Sequence, residues 1–251
     1  MKKLLLLSSF ALLSVGAFAQ NIQIHHDFGH SLYNGGDKDL SGRGHITTTI
    51  ENFKADNWGS TYFFVDMDYK STGTLKTPNC LGAYTEISRE LCFWQDTKLN
   101  WLSLHLEFDG GLSSASGSFN NAWLAGLTYS GHSADYSKTW SVSAMYKLIP
   151  GCTDGEGNKQ ENNFQITGVW GINFAGGWCT FSGFIDFWRE HRAWQNTEFI
   201  LLTEPQFWVN LNKVEALHDV NLSVGGEVEI SNNFAGAGFY CIPTLAAKWT
   251  F

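Results

Sequence analysis

Residues 238–251 read G-F-Y-C-I-P-T-L-A-A-K-W-T-F, and their alternation decides the fold. The odd-numbered positions from Phe239 to Phe251 are all apolar, whereas Tyr240, Thr244 and Lys248 fall between them. A period of two is typical of a β-strand with one apolar face and one mixed face. Taken alone, the segment fits an edge strand of a secreted β-domain as well as a strand that closes a barrel. The rest of the chain has to decide between them.

The amino terminus has the three parts of a secretory signal. Lys2 and Lys3 precede a leucine-rich core, and the small residues Ala17 and Ala19 precede Gln20. A charged end, an apolar middle and a small-residue cleavage site in this order are typical of a signal peptide. We therefore predict that residues 1–19 are removed and that residues 20–251 form the mature domain.

Composition excludes several classes of protein. No later run approaches the roughly 18 apolar residues that a membrane helix needs, so any membrane span must be built from strands. The net charge is −8 and there is no basic stripe, which argues against nucleic-acid binding. The five cysteines are widely spaced and match neither a zinc pattern nor a dense disulfide framework. We predict no cofactor and no metal, and the sequence leaves open one disulfide between loops, such as Cys80 with Cys152.

From Gln20 onward the chain reads as twelve strands separated by polar loops and short turns. The predicted strands are 21–29, 44–53, 58–69, 82–93, 99–109, 119–129, 138–148, 162–174, 178–188, 196–211, 218–230 and 238–251. The clearest is 99–109, in which four large apolar residues alternate with Ser103, His105, Glu107 and Asp109. An even number of strands places both termini on the same side of a barrel. Arg89 falls on the apolar face of its strand, and either a position near a membrane boundary or a bulge would account for this departure.

A soluble sandwich would also give each strand one apolar face, so the pattern alone does not exclude it. What favours a membrane barrel is the placement of Trp and Tyr near strand ends, which resembles aromatic girdles. The girdle candidates are Trp58, Tyr69, Trp101, Trp123, Tyr129, Trp140, Trp170, Trp178, Trp188, Trp208 and Trp249. We predict an all-β fold: a single 12-stranded antiparallel transmembrane β-barrel with short periplasmic turns and longer extracellular loops.

In such a barrel the last strand has a definite role. Residues 238–251 must pair with residues 21–29 and so abolish the open edge of the sheet. A strand that ends on an aromatic carboxyl terminus behind a secretory signal resembles the closing strand of bacterial outer-membrane barrels. The expected location is therefore the outer membrane, and the expected partners are its lipid bilayer and the barrel-assembly machinery.

One hairpin carries a closer resemblance. Glu51-x-Phe53, followed by Trp58, Tyr62, Phe64 and Asp66, resembles the E-x-F…D-W…Y-x-Y/F-x-D hairpin of the nucleoside-specific channel-forming outer-membrane family. Glu86-Ile87 is similar to that family's fourth strand, whereas Asn57 stands where the family has an acid before the Trp. The match covers roughly residues 46–93. The resemblance implies a narrow monomeric barrel that passes nucleosides and whose outer loops serve, in some members, as a phage receptor.

A barrel of twelve strands should leave a slot in its interior, between the filled lumen of eight strands and the open pore of sixteen. Aromatic rings there would stack on the flat base of a nucleoside, and carboxylates would accept hydrogen bonds from its sugar. The predicted solute-binding residues of the lumen are Glu51, Tyr62, Phe64, Asp66, Asp68, Glu86, Trp101, Glu107, Trp188, Glu204 and Trp208. Further predicted inward residues are Trp178, Phe184, Glu90, Asp109, Asp186, Glu227 and Glu229. The same side chains would also fit a plug of hydrogen bonds that stabilises a closed barrel.

Two other functions compete with a channel. The first is a barrel with a purely structural or receptor role. The second is a lipid-modifying enzyme, for which His25, His26, Asp27 and His30 form a candidate cluster. Such an enzyme needs a Ser/His/acid site on one face. In an alternating strand His26 shares a face with neither His25 nor Asp27, and no serine motif accompanies them, so we predict that the protein is not an enzyme.

Deletion of Phe251 tests the barrel directly. We expect the truncated protein to be secreted normally but to insert poorly, because the closing strand loses its aromatic end. The measurement is the amount of protein in the periplasmic and outer-membrane fractions of expressing cells. Membrane levels equal to those of the full-length chain would contradict the predicted role of this strand.

Overall fold

Antiparallel β-strands make up nearly all of the fold. The computed structural model describes residues 19–70, 79–114, 117–192 and 197–251, so most of the predicted signal peptide and its cleavage lie outside the described residues. The strands are β1 Ala19–Asp27, β2 Ile46–Asp56, β3 Gly59–Lys70, β4 Asn79–Leu91, β5 Leu102–Ser113, β6 Gly117–His132, β7 Lys138–Leu148, β8 Asn162–Phe174, β9 Cys179–Arg192, β10 Thr197–Thr203, β11 Gln206–Asn210, β12 Leu222–Asn232 and β13 Phe239–Thr250. Each strand pairs antiparallel with its neighbours in one continuous sheet.

β10 and β11 are two parts of one wall strand. Both lie between β9 and β12, and the break falls at Glu204 and Pro205. Proline has no N–H to donate to a sheet, which explains an interruption at this residue. The carbonyl of Pro205 still accepts a hydrogen bond from the amide of Val228 at 3.0 Å. The wall therefore has twelve strands, as the sequence predicts, and most of their bounds lie within a few residues of the predicted ones.

The sheet closes on itself through β1 and β13. Their register runs from Asn21 opposite Thr250 to Asp27 opposite Thr244, and the amide of Phe251 donates to the carbonyl of Gln20 at 2.9 Å. The predicted pairing of the first and last strands is confirmed. Both described ends of the chain lie at one end of the barrel, which we call the terminal end, and we call the other the loop end.

Connections of different lengths join the strands at both ends. The terminal end has the tight turn 57–58 and also the longer connections 92–101 and 211–221. The loop end carries 28–45 and 149–161, the longest connections that are fully described. Connection length alone therefore does not distinguish the two ends. The short helical segments are α1 Gly29–Leu32 and the 3-10 turns Gly36–Lys38, Ala175–Gly177, Leu211–Lys213 and Glu215–Leu217.

The two faces of the wall have opposite polarity. On the outer face Ile24, Leu106 and Val142 are exposed, whereas on the inner face Gln23 and Ser103 are buried. Soluble domains bury apolar side chains and expose polar ones, and this barrel does the reverse. An apolar exterior around a polar interior is the arrangement of a barrel that lies in lipid. Within the described part of the chain there is no helix long and apolar enough to cross a membrane.

Exposed aromatic rings form a belt at the terminal end. These rings belong to Trp58, Trp101, Tyr129, Trp140, Trp178 and Trp249. A belt of Trp and Tyr at the level of the lipid headgroups is expected of a membrane barrel. Trp188 and Trp208, which the sequence also suggests for a girdle, are buried inside the barrel.

Arg89 lies near the terminal end of β4, on the outer face, next to the tight turn. Its guanidinium donates to both oxygens of Asp56, at 2.7 and 2.8 Å, and to the hydroxyl of Thr61 at 3.0 Å. The predicted position at a membrane boundary agrees with this neighbourhood. All five cysteines lie among the described residues, and each is a free thiol, so Cys80 and Cys152 do not form a disulfide in this structure.

A glycine in β6 is required by the close approach of two strands. A Cβ on Gly126 would lie 2.1 Å from the carbonyl oxygen of Ala144 and 2.7 Å from the Cα of Met145, both in β7. We expect Gly126→Ala to lower the free energy of unfolding by about 1–3 kcal/mol, the usual cost of overpacking. Urea unfolding in detergent micelles measures it.

Gly155→Ala is the matched control, because Gly155 lies in the loop 149–161 and a Cβ there would meet nothing within 4 Å. Equal unfolding curves for the two variants would contradict the close approach of β6 and β7.

Candidate functional site

A series of aromatic rings lines one side of the barrel interior. Tyr62 and Phe64 in β3, Tyr84 in β4 and Phe119 in β6 follow one another with ring-centroid distances of 6.2, 6.0 and 6.1 Å. We call these four residues the aromatic ladder. It begins near the terminal end and rises to the loop end. A Cβ on Gly111 would lie 2.4 Å from the ring of Phe119, so glycine is what lets this ring lie flat against β5.

Carboxylates accompany the ladder on the neighbouring strands. Glu51 lies directly across from Phe64 and accepts a hydrogen bond from Gln23 at 2.9 Å. Asp66 accepts from Thr49 at 2.5 Å, and Asp68 accepts from Thr47 at 2.7 Å. Each of these acids accepts a hydrogen bond from a neutral donor, which orients its carboxylate. The result is a wall on which flat apolar rings and hydrogen-bond acceptors alternate.

A hydrogen-bonded group lies below the ladder, towards the terminal end. The Nδ1 atom of His105 lies 2.6 Å from Glu90, and its Nε2 atom lies 3.1 Å from Glu107. Thr128 donates to Glu90 at 2.9 Å, and its hydroxyl lies 2.7 Å from that of Ser143. These bonds link the inner faces of four adjacent strands, β4 to β7. Part of the predicted lumen chemistry is therefore structural.

An arginine from a loop enters the mouth of the barrel at the loop end. Arg43, in the 28–45 connection, donates to Asp27 of β1 at 2.7 Å and to Glu229 of β12 at 2.6 Å. The side chains of Asp27 and Glu229 are only 5% and 6% exposed, compared with 31% for Arg43. Burial disfavours the charge of Arg43, but Glu229 and Asp27 outweigh burial and raise the pKa of the guanidinium. We call this arrangement the mouth ion pair.

A cavity of about 240 Å³ opens beside Arg43. Its walls include Asp68 at the end of β3 and Phe119 at the top of the aromatic ladder. The other lining residues are Gly42, Gly44, Leu81, Gly82 and Ser113. A solute that enters at the loop end would therefore meet Asp68 and Arg43 first and the ladder next.

The opposite side of the interior is filled more tightly. Trp208 is 0% exposed, its indole N–H donates to Gln206 at 3.0 Å, and the ammonium of Lys248 lies 4.1 Å from its ring centroid. Trp188 packs against Ile200 and Leu202. Glu204, at the break between β10 and β11, is partly buried. Trp188 and Trp208 therefore lie inside the barrel as predicted, but both pack against neighbouring side chains and are not free to stack on a solute.

Trp101 is the predicted lumen residue that the structure places elsewhere. Its indole is 40% exposed and packs on the outward ring of Tyr129 at 5.4 Å. The prediction that Trp101 faces the lumen is wrong, because Trp101 precedes β5 and does not follow the alternation of that strand. Trp178, in the turn before β9, is likewise exposed.

The remaining predicted residues are distributed over several places in the lumen. Glu51, Tyr62, Phe64 and Asp66 lie together along the ladder, and Asp68 lies at the mouth. Glu86 and Glu107 are neighbours on β4 and β5.

Sequence reasoning missed Tyr84, Phe119 and Arg43. Tyr84 shares the parity of Glu86 and could have been found from that parity. No pattern in the sequence marks a loop arginine or an aromatic residue next to a Gly/Ser stretch as inward.

The histidines of β1 lie on opposite faces. His25 and Asp27 are buried inside, whereas His26 is exposed outside, as the alternation predicts. His25 contacts Gln23 at 2.9 Å and Thr244 at 3.0 Å. Its Nδ1 atom also lies 3.4 Å from Glu227. His25 therefore belongs to a hydrogen-bonded interior, and its partners among the described residues do not include a serine.

Several solved structures are similar to this chain. NanC porin has 9% identity over 93% of this chain and 100% of that chain, with a TM-score of 0.57, which agrees with the barrel fold. LpxR from Salmonella typhimurium has 9% identity over 93% and 100%, with a TM-score of 0.48. The outer membrane channel DcaP of Acinetobacter baumannii has 10% identity over 93% and 95%, with a TM-score of 0.41. No curated protein matches the chain.

The closed sheet and its inverted polarity define the class: this is a 12-stranded transmembrane β-barrel, and its fold is similar to that of NanC porin. At identities this low the likeness concerns the fold alone. Residues 19–251 match the family described as a domain of unknown function, DUF5020, and the chain belongs to that family. The resemblance of residues 46–93 to the nucleoside-specific family stays a prediction.

Replacement of Arg43 tests the mouth ion pair. We expect Arg43→Ala to lower the free energy of unfolding by about 3–5 kcal/mol, because it leaves two buried carboxylates without their cation. The measurement is urea unfolding in detergent micelles.

Arg89→Ala is the matched control. Its partner Asp56 is 42% exposed, and an exposed pair contributes about 0–1 kcal/mol. A loss for Arg43→Ala no greater than that for Arg89→Ala would show that Asp27 and Glu229 do not depend on the guanidinium.

Proposed function

We propose that this barrel is an outer-membrane channel for the passive passage of small polar solutes that carry a flat ring, with nucleosides as the class that fits best. The observation that carries the proposal is the aromatic ladder of Tyr62, Phe64, Tyr84 and Phe119. The ladder follows the inner wall and ends at the cavity beside Arg43. A purely structural interior does not require a row of rings that leads to an opening.

The ladder suits transport because its contacts are weak and repeated. Stacking of a base on an aromatic ring contributes about 1–3 kcal/mol. Passage through a channel requires binding strong enough for entry but weak enough for exit, which several sites in series provide. Neighbouring rings are 6.0–6.2 Å apart, so a flat solute can engage the next ring before it leaves the last.

The acids beside the ladder favour a sugar and disfavour a phosphate. Carboxylates accept charge-assisted hydrogen bonds from hydroxyl groups, and Glu51 and Asp66 lie next to the rings. The same negative charges repel an anion. Arg43 does not reverse this field, because Asp27 and Glu229 already pair with it. A nucleoside is therefore preferred to its monophosphate.

A closed barrel with a structural or receptor role is the second candidate. The observation that favours it is the apolar packing of Trp188, Ile200 and Leu202, which fills the interior beside β9 and β10. A barrel filled in this way across its whole section would conduct no ions. Conductance therefore separates the two candidates.

Reconstitution in planar bilayers tests the channel. We expect the purified protein to conduct ions and expect adenosine or thymidine to block that current in a saturable manner. Phe64→Leu and Tyr84→Leu should each weaken the block about tenfold, since the loss of about 1.4 kcal/mol of stacking changes an affinity by that factor. Trp101→Leu, which removes an aromatic ring outside the lumen, should leave the block unchanged.

Flux into proteoliposomes tests the solute class. We expect adenosine to pass faster than adenosine monophosphate. Equal flux of the two would contradict the preference, and the absence of conductance would favour the structural barrel.

A further inference from the structure

Three carboxylates meet on the inner wall where β4 and β5 pair. Glu86 of β4 lies directly across from Asp109 of β5, and Glu107 precedes Asp109 by two residues on the same inward face. One carboxylate oxygen from each residue lies within 4.8 Å of those of the other two. We call these three residues the carboxylate cluster. The spacing follows from strand geometry, because cross-strand partners and i, i+2 neighbours share one face of a sheet.

Each carboxylate is held from one side by a different donor. The hydroxyl of Tyr84 donates to Glu86 at 2.9 Å, and the Nε2 atom of His105 lies 3.1 Å from Glu107. The ammonium of Lys147 lies 3.5 Å from the Oδ2 atom of Asp109. Donors of this kind orient the ligands of metal sites and fix the direction of their remaining oxygens.

One carboxylate oxygen of Asp109 has no hydrogen-bond partner among the described residues. The side chain is only 3% exposed, and this oxygen, the Oδ1 atom, is buried. A buried acceptor without a partner costs about 1–3 kcal/mol, and more when it is charged. This oxygen belongs to a residue of the cluster, and its lack of a partner is a second observation that points to a ligand at this place.

The protein supplies too little positive charge at this place. Among the described residues, the cations that contact the three carboxylates are Lys147 and, when it is protonated, His105. The ammonium of Lys147 also donates to Gln165 at 2.7 Å and lies 5.1 Å from the ring centroid of Trp188. Three carboxylates that are ionised together on an inner wall would repel one another more strongly than they would in water. A further cation within reach of all three carboxylates would reduce their repulsion and would give the Oδ1 atom of Asp109 a partner.

We propose that the carboxylate cluster binds one hard divalent cation, of the Ca²⁺ or Mn²⁺ class, in the wall of the lumen. An all-oxygen set of carboxylates selects such ions, whereas zinc and copper favour nitrogen and sulfur ligands. Glu86, Glu107 and Asp109 are the protein ligands, and water completes the coordination. Tyr84, His105 and Lys147 position the three carboxylates. The site does not depend on which solute passes through the barrel.

Metal titration of the folded barrel tests this site. The protein is extracted in detergent, stripped with a chelator and titrated with Mn²⁺, and free Mn²⁺ is followed by its electron paramagnetic resonance signal. We expect one Mn²⁺ per chain, displaced by added Ca²⁺. Glu107→Gln and Asp109→Asn should each weaken binding at least tenfold. Folding of every variant is checked by its heat-modifiable mobility in gel electrophoresis.

Asp66→Asn is the matched control, because Asp66 is another lumen carboxylate with a neutral donor but lies outside the cluster. Its affinity for Mn²⁺ should equal that of the unmodified protein. Absence of saturable binding by the unmodified protein overturns the proposal, as does an equal loss in Asp66→Asn, which would indicate a diffuse acidic field. If a substitution in β5 prevents folding, Glu86→Gln in β4 provides the same comparison. A barrel that binds Mn²⁺ but conducts nothing would refute the channel and leave the cation site intact.

Discussion

Backbone hydrogen bonding is the constraint on which the rest of this structure depends. In a bilayer no water is available to the N–H and C=O groups of an edge strand, so a sheet can span it only by closing. β1 and β13 close it here through seven paired positions from Asn21 with Thr250 to Asp27 with Thr244. Closure turns one face of every strand inward, and this shared interior then holds the aromatic ladder, the acids and the mouth ion pair. The closed wall therefore brings the residues of the candidate site together.

The interior is divided between two sides with different packing. Beside β2 to β6 it presents the ladder and carboxylates such as Glu51 and Asp66. Beside β9 to β11 it holds Trp188 and Trp208, which fill space in the manner of a protein core. One side of the interior therefore contributes packing, and the other presents rings and hydrogen-bond acceptors to the lumen. Aromatic rings that are packed in a core cannot also move aside for a solute.

The wall of the barrel could be predicted from the sequence because strand alternation is local. The period of two alone predicts that Ser103, His105 and Glu107 share one face of their strand. The barrel requires in addition only that the first and last strands pair. The interior contacts could not be predicted in the same way. Trp101 was misplaced because it lies just outside its strand, where alternation no longer applies. Arg43 and Phe119 reach the lumen through tertiary contacts with Asp27 and Gly111, and such contacts leave no periodic signal.

The mouth ion pair also connects the two strands that flank the closing strand. Asp27 belongs to β1 and Glu229 to β12, and β13 lies between these strands in the closed sheet. A single guanidinium that contacts both carboxylates therefore bridges the two strands on either side of β13. The loop that carries Arg43 connects β1 to β12 directly across the closing strand, so the mouth ion pair supports the seam from inside the barrel.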